Sequence, residues 1–309
     1  MNSQVGTKSP DTYRLDFSAM GTEFFCILVG TEEQTPEILV DYAAHLESIW
    51  SRFISDSEVM KLNNNPDSTM SVSKETLLLI KEMKKAFFLT DGLFSGNVLG
   101  DLIDLGFGVS RKDPSKSTLW SSRVATNSTL ADVQIDEVNG TALVPSGVAL
   151  DPGGIGKGLA AELIASRALA LDTMGIAVFA GGDVSVKGMS QDAHGWEVKI
   201  SHPLNVNEFI SSISLSRGGL ATSSILAWQG KSSSEHHIID PRTHKSAESD
   251  VLQATVVTQS AAEAEALTKM CLILSAEEAI ARVQALGASA LLVTKDLNIL
   301  TSKNWSTFE

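Results

Sequence analysis

The segment Leu150-Asp151-Pro152-Gly153-Gly154-Ile155-Gly156-Lys157-Gly158 restricts this chain more than any other. Its last six residues hold four glycines and one lysine. Glycines let the backbone approach a ligand or a neighbouring element closely, and the helix that follows opens with unpaired N–H groups. A diphosphate suits such a cradle; a tightly packed helix entry with no ligand is the plainer alternative. The segment is not a Walker P-loop, because Gly158 follows Lys157 where a Ser or Thr would hold magnesium. Gly156-x-Gly158-x-x-Ala161 fits a loose dinucleotide fingerprint, but that fingerprint opens a βαβ unit, and here it sits mid-chain behind Asp151.

The surrounding pattern mixes strands and helices without strict alternation, which favours an α+β fold over a doubly wound sheet. Phe24 to Val29 is an apolar run ending at Gly30 and reads as a buried strand. Thr35-Pro36 reads as an N-cap with proline in the first turn, opening a helix whose apolar residues recur from Ile38 through Trp50 to Phe53. A second helix follows Ser73 and stops at Asp91-Gly92. Strand signals return in 133–150, with a turn at Asn139-Gly140. The glycine segment opens a third helix, with apolar spacing kept to Met174. Ile176 to Phe179 is a buried strand stopped by Gly181-Gly182-Asp183. Further strands are expected near 196–200, 210–215 and 254–258. A helix is expected from Ala261, and another is capped by Ser275 and Glu278 and closed at Gly287. Leu291 to Val293 and Asn298 to Leu300 flank a turn at Lys295-Asp296. Residues 1–12 read as a flexible lead, and 109–130, rich in Ser, Lys, Thr and Asn, as a surface excursion and a boundary between two lobes.

Composition removes several classes. At 309 residues, 43% hydrophobic and 20% charged, the chain can bury a core and is not a disordered protein. Two cysteines, Cys26 and Cys271, make no disulfide scaffold, and both sit in apolar surroundings that disfavour a thiolate nucleophile. The net charge of −13 disfavours nucleic-acid binding. No run reaches the ~18 apolar residues of a membrane span, and the polar start shows no secretory leader, so a cytoplasmic location is expected. No Gly-x-Ser-x-Gly elbow occurs.

Three further clusters could carry chemistry. Ala180-Gly181-Gly182-Asp183 follows a strand and could form a second wall of the glycine-lined pocket. His236-His237-Ile238-Ile239-Asp240-Pro241-Arg242-Thr243 packs imidazole, carboxylate and guanidinium together. Adjacent histidines on a strand point to opposite sides, so they make a poor metal pair; one is expected to be functional and the other solvent-facing. On the late helix, Glu265 and Lys269 share a face at i, i+4, as a surface ion pair or as part of a site.

The order of these motifs resembles the ApbE family of FAD:protein FMN transferases. The resemblance covers about residues 15–305. It runs through Met20-Gly21-Thr22, Ser51-Arg52-Phe53, Asp56-Ser57-Glu58, Leu62-Asn63, Asp91-Gly92-Leu93-Phe94, the glycine segment, Ala180 to Asp183, Ala221-Thr222-Ser223 and His237 to Thr243. It implies two packed lobes of mixed or antiparallel sheet with flanking helices and a cofactor cleft between them. It also implies an activity: with Mg2+, FMN moves from FAD to a Thr or Ser hydroxyl of an acceptor flavoprotein, and AMP leaves. By the same resemblance Met20, Phe53, Leu93, Phe94, Ser95, Asp151, Lys157 and Ile239 would bind FAD. Gly154, Glu265, Thr268 and Lys269 would stand at the metal. His237 would assist proton transfer with Asp240 orienting it, and Lys157 would sit near the diphosphate.

The chain departs from the family pattern in places that bear on chemistry. The usual metal aspartate is Glu265 and the usual metal threonine is Lys269. An ammonium beside magnesium is repelled. Three outcomes stay open: Thr268 and Glu265 shift to hold a metal, Lys269 replaces its charge, or FAD is bound without transfer. Phe94-Ser95-Gly96-Asn97 stands where Phe-Asp-Pro-Thr is frequent, and His244 where a glycine usually follows Thr243. Alternatives from other classes are a FAD carrier or sensor, a metal-dependent FAD pyrophosphatase, and an NAD-dependent oxidoreductase.

Overall fold

The computed structural model describes residues 11–120, 126–192, 194–205, 207–230, 232 and 235–307. The first part of the chain runs β1 Thr12–Ala19, β2 Thr22–Val29, α1 Thr35–Trp50, α2 Glu58–Asn64, β3 Met70–Ser71, α3 Lys74–Leu89 and α4 Leu99–Asp104. The middle holds β4 Gln134–Asp136, β5 Thr141–Leu143, α5 Gly156–Leu169, β6 Gly175–Ala180, β7 Asp183–Gly188, β8 Trp196–Ser201 and β9 Phe209–Leu215. The last part holds β10 Gly218–Ser224, β11 Ile239–Asp240, β12 Lys245–Ser246, β13 Val251–Thr258, α6 Ala261–Ile273, α7 Ala276–Ala285, β14 Ser289–Thr294 and β15 Ile299–Thr301.

Eight strands form one antiparallel sheet in the order β1-β2-β6-β7-β10-β13-β14-β15. The alternation of β2 sorts its two faces. Phe24, Cys26 and Leu28 pack on Leu39 and Ala43 of α1 and on Ala161, Ile164 and Ala168 of α5. Val29 faces the other way, into a core shared with Trp196, Val198 and Ile213 of the β8–β9 ribbon. β13 is buried along nearly its whole length because α6 and α7 cover one face and the ribbon side covers the other. Beyond the helix layer lie α2, α3 and the small β3-β5-β4 sheet, sharing a core with Leu159 of α5 and Ala262 and Ala266 of α6. The α+β architecture expected from the sequence is the one found.

Several local expectations shift. β1 was not expected as a strand, and it begins at Thr12 inside the supposed flexible lead; residues 1–10 of that lead lie outside the described residues. The first helix starts from Gln34 without a side-chain cap and ends at Trp50, so Phe53 lies beyond it. α5 ends at Leu169, short of Met174. The 109–130 excursion, of which 121–125 lie outside the described residues, folds back through a Val109–Ser117 bridge.

The glycine segment is a packing device as well as a cradle. A Cβ on Gly158 would lie 2.4 Å from the Ala261 carbonyl oxygen, so the N-termini of α5 and α6 touch backbone to backbone. Gly158→Ala should therefore cost ~1–3 kcal/mol of stability by overpacking, read as a lowered denaturation midpoint; an unchanged midpoint would contradict this contact.

Candidate functional site

One cavity of about 590 Å³ opens where the glycine-rich turns meet, a size in the ~300–1,000 Å³ range of cofactor sites. Its rim begins at the β1–β2 turn, where Met20 and Gly21 both have positive φ (50° and 69°) and Ala19 pairs with Thr22. This is the two-residue hairpin geometry that follows the twist of the strands, and it brings Met20 to the mouth. Its lining includes apolar and aromatic side chains, Phe53, Leu93, Phe94, Val98, Trp228 and Ile239. It also includes Gly153, Gly154, Gly156, Lys157, Gly181, Gly182, Ser223 and Lys269, with the Phe94 ring against Gly154. Ser110 to Asp113 and Lys116 also line it, so the segment expected as a surface excursion reaches the site.

Buried hydrogen bonds hold the glycine segment in place. Asn63 Nδ2 donates to the Leu150 carbonyl at 2.9 Å, and its Oδ1 accepts from the Leu150 N–H at 2.7 Å. Asn97 Oδ1 accepts from the Ala149 N–H at 2.7 Å. Asp151 caps the following turn through the Gly153 N–H at 2.6 Å, and its other oxygen lies 3.1 Å from Arg52 Nε. The Arg52 guanidinium also stacks over Phe53 at 4.5 Å and donates to the Phe107 carbonyl at 2.9 Å. Asp151 lines the cavity; its Oδ1 is bonded to the turn, while its buried Oδ2 has the Arg52 ion pair and no hydrogen bond.

Lys157 and Lys269 belong to a compact charge cluster. Glu265, fully buried on α6, pairs with Lys157 through Oε1 and accepts the Gly158 N–H at 2.9 Å through Oε2. Lys157 also lies 2.9 Å from Asp183. Lys269 donates to Ser223 Oγ at 2.9 Å and stands 3.5 Å from both Glu265 and the Thr268 hydroxyl. Thr268 in turn donates to the Glu265 carbonyl at 2.6 Å and shares a 2.7 Å bond with Ser223. Burial alone would lower the Lys157 pKa, but Asp183 and Glu265 outweigh it and hold that ammonium above its ordinary value. Burial would raise Glu265, but the two lysines and the Gly158 N–H pull it below. Burial and the Glu265 charge push Asp183 up to about 6. Burial and Lys157 leave Lys269 below the usual lysine range.

This donor set does not suit Mg2+. Both Glu265 oxygens are occupied, Thr268 is turned to a backbone carbonyl, and an ammonium fills the remaining ligand position. Among the described residues no group of three His, Cys, Asp or Glu side chains is placed to hold a metal. Gly154 lies on the cavity wall, while Glu265 and Thr268 are fully buried behind it. The magnesium site expected from the sequence is replaced by a lysine–carboxylate network.

The histidine pair resolves differently from expectation. His236 is buried rather than solvent-facing, its ring held between the Ala247 carbonyl at 3.1 Å and the Ile238 N–H at 3.3 Å. His237 faces the cavity. Its Nδ1 lies 3.1 Å from the Trp228 carbonyl, which can only accept, so Nδ1 carries the proton and Nε2 keeps a lone pair. Burial, with Lys269 and Lys157 nearby, pushes its pKa down to about 3. Asp240 does not orient His237. Its carboxylate is taken by Arg242, whose Nε and Nη2 donate at 2.9 and 2.7 Å, because the tight β11–β12 turn brings the guanidinium back. His244 holds that turn with φ 59°, the conformation a glycine would adopt most readily, and its ring lies 3.0 Å from Asp101. Cys26 and Cys271 are buried thiols pushed up to about 12 and are not nucleophiles.

The cavity thus gathers Met20, Phe53, Leu93, Phe94, Ser95, Asp151, Gly154, Lys157, His237, Ile239 and Lys269, and leaves Asp240, Glu265 and Thr268 off its surface. Trp228 was missed: its ring contacts Phe107 edge-on at 5.2 Å and lies 6.3 Å from the His237 ring. A lone Trp in the polar loop before Gln229-Gly230 was the available signal. Among the described residues no helix is long and apolar enough to cross a membrane.

Comparison with known proteins points the same way. The sequence model of the ApbE family matches residues 20–292. The FAD:protein FMN transferase of Salmonella typhimurium is 24% identical over 95% of this chain and 87% of its own. The one from Vibrio cholerae is 25% identical over 79% of this chain and 75% of its own. The crystal structure of an ApbE protein from Thermotoga maritima superposes with a TM-score of 0.82 at 26% identity, covering 97% of this chain and 99% of that one. The flavin transferase ApbE from Vibrio cholerae shares the fold at a TM-score of 0.80 and 20% identity, over 97% of this chain and all of that one.

Proposed function

The chain belongs to the ApbE family, and from that premise we propose that it is a FAD:protein FMN transferase, moving FMN from FAD to a Thr or Ser hydroxyl of an acceptor flavoprotein with release of AMP. One observation carries this reading. One cavity is lined both by aromatic and apolar side chains and by glycine turns with two lysines, which suits the rings and the diphosphate of a flavin dinucleotide. The ring systems of FAD would lie among Phe53, Leu93, Phe94, Trp228 and Ile239. The diphosphate would meet the glycine N–H groups, Lys157 and Lys269.

The reaction then needs positioning and one proton acceptor. The acceptor hydroxyl oxygen attacks the phosphorus of the FMN half. A new O–P bond forms, the bridging P–O bond breaks, and AMP leaves with the electron pair. His237 Nε2 is placed to take the hydroxyl proton, because Nδ1 is pinned on the Trp228 carbonyl. Burial is the main cause that depresses the His237 pKa, and the diphosphate of FAD would offset only the smaller part that comes from Lys269 and Lys157. Asp151 and Arg52 keep the turn rigid, and Glu265 keeps Lys157 charged.

The test is intact-mass analysis of an acceptor domain carrying a Ser/Thr-Gly-Ala-Thr segment after incubation with this protein and FAD. The acceptor should gain one FMN while AMP appears in equal amount. An unmodified acceptor beside intact bound FAD would favour a carrier or sensor. Free FMN and AMP without modified acceptor would favour a pyrophosphatase.

A further inference from the structure

Lys269 stands where a metal would be expected, and its surroundings are built for an ammonium. Its stem passes 3.7 Å from where a Gly154 Cβ would lie, so it packs beside the glycine turn at ordinary contact distance. Its nitrogen has one short bond, to Ser223 at 2.9 Å, and two long contacts of 3.5 Å to Glu265 and Thr268. The two 3.5 Å contacts are at the outer limit of hydrogen bonding, so a ligand in the cavity that Lys269 lines can take over those N–H groups at small cost. Lys157 differs, because it is shared between Asp183 and Glu265. The four charged groups sum to zero, which leaves no excess negative charge to attract a divalent cation. Entry of one would have to displace Lys157 and the Gly158 N–H from Glu265 and stand against Lys269.

We propose that the Lys269 ammonium is a built-in cation that takes the diphosphate of FAD, so that this protein binds FAD without a divalent metal. The Ser223–Thr268–Glu265 chain of hydrogen bonds positions it, with Ser223 accepting from Lys269 and donating to Thr268, whose hydroxyl donates to the Glu265 carbonyl. The inference rests on the FAD reading above and concerns binding, which precedes transfer.

The test is FAD affinity, read by quenching of flavin fluorescence, in excess EDTA and in millimolar magnesium. The wild-type protein should bind FAD equally in both. Lys269→Met should weaken binding roughly tenfold or more, the loss of a charge-assisted bond to phosphate. Lys269→Thr combined with Glu265→Asp should bind FAD weakly in EDTA and recover in magnesium. The wild-type comparison needs no variant and decides the matter even if the variants fold poorly. A wild-type affinity that rises roughly tenfold with magnesium overturns the inference, and so does a folded Lys269→Met that binds as tightly as wild type. Failure to bind FAD in either buffer overturns this inference and the transferase reading together. Metal-free, Lys269-dependent binding with no acceptor modified leaves the inference standing and removes only the transferase reading.

Discussion

Alanine at position 265 is expected to destabilise the protein by ~3–5 kcal/mol, because it leaves the half-buried Lys157 and Lys269 without their shared partner. Glu265 is fully buried and joins three elements: it pairs with Lys157 of α5, accepts the Gly158 N–H at the start of that helix, and faces Lys269 one turn along α6. Its removal exposes no site to water; it strands charge inside the molecule. Glu265→Gln should lose less, since an amide oxygen can still accept from Gly158 while the charge is gone. Adding Lys269→Met to Glu265→Ala should recover part of the loss, because the excess ammonium is then absent while Lys157 keeps Asp183. Urea denaturation with and without magnesium provides the measurement. Equal midpoints for Glu265→Ala and wild type would contradict a structural cluster. A loss seen only in magnesium-containing buffer would point instead to a metal ligand.

The parts of this molecule visible in its sequence are those with a local cause. Phe24 to Val29 and Ile176 to Phe179 are buried strands of the sheet interior, so both faces are apolar and the run announces itself. The glycine turns are equally visible, since Gly158 meets the Ala261 backbone and Gly182 the Thr222 carbonyl, contacts that admit no side chain. β1 escaped notice because it is an edge strand with most of its residues exposed. Phe53 misled for the opposite reason: it continues the apolar spacing of α1 but faces the cavity, and the helix has already ended at Trp50. α6 is buried on nearly every side, so helical periodicity reveals its start and little else.

The site follows the same division. Spacing along α6 showed that Glu265 and Lys269 share a face, but not that the shorter bond to Glu265 comes from Lys157, which is distant in sequence. The family resemblance suggested Asp240 for His237, yet Arg242, two residues on, binds both carboxylate oxygens. Which partner a charged side chain takes is decided by how turns and helices meet, and sequence spacing carries that only within one element.

Replacing His237 with alanine is expected to slow FMN transfer by ~10²–10⁴-fold, the usual contribution of a positioned proton acceptor. FAD affinity should change little, since the aromatic and apolar side chains that line the cavity remain. The effect therefore belongs in the rate of a single turnover at saturating FAD. A structural role alone would predict parallel loss of stability and of binding, and the hydrogen bond from Nδ1 to Trp228 is the contact at stake. His237→Gln retains a donor for that carbonyl but offers no comparable base, so it should keep the fold and lose the rate. The pH behaviour separates the roles further. In the FAD-free protein His237 is held down to about 3, against 6.5 for an ordinary imidazole, chiefly by burial and then by the two lysines. A histidine with a depressed folded pKa binds its proton more readily when unfolded, so stability falls as pH drops from about 6.5 toward 3. His237→Ala should lose part of that acid sensitivity. FAD should raise the imidazole pKa, because its diphosphate offsets Lys157 and Lys269, and NMR titration of the ring with and without FAD measures that rise. An imidazole pKa unmoved by bound FAD, together with a transfer rate unchanged in His237→Ala, would remove His237 from the reaction and leave positioning of the diphosphate as the whole of the catalysis.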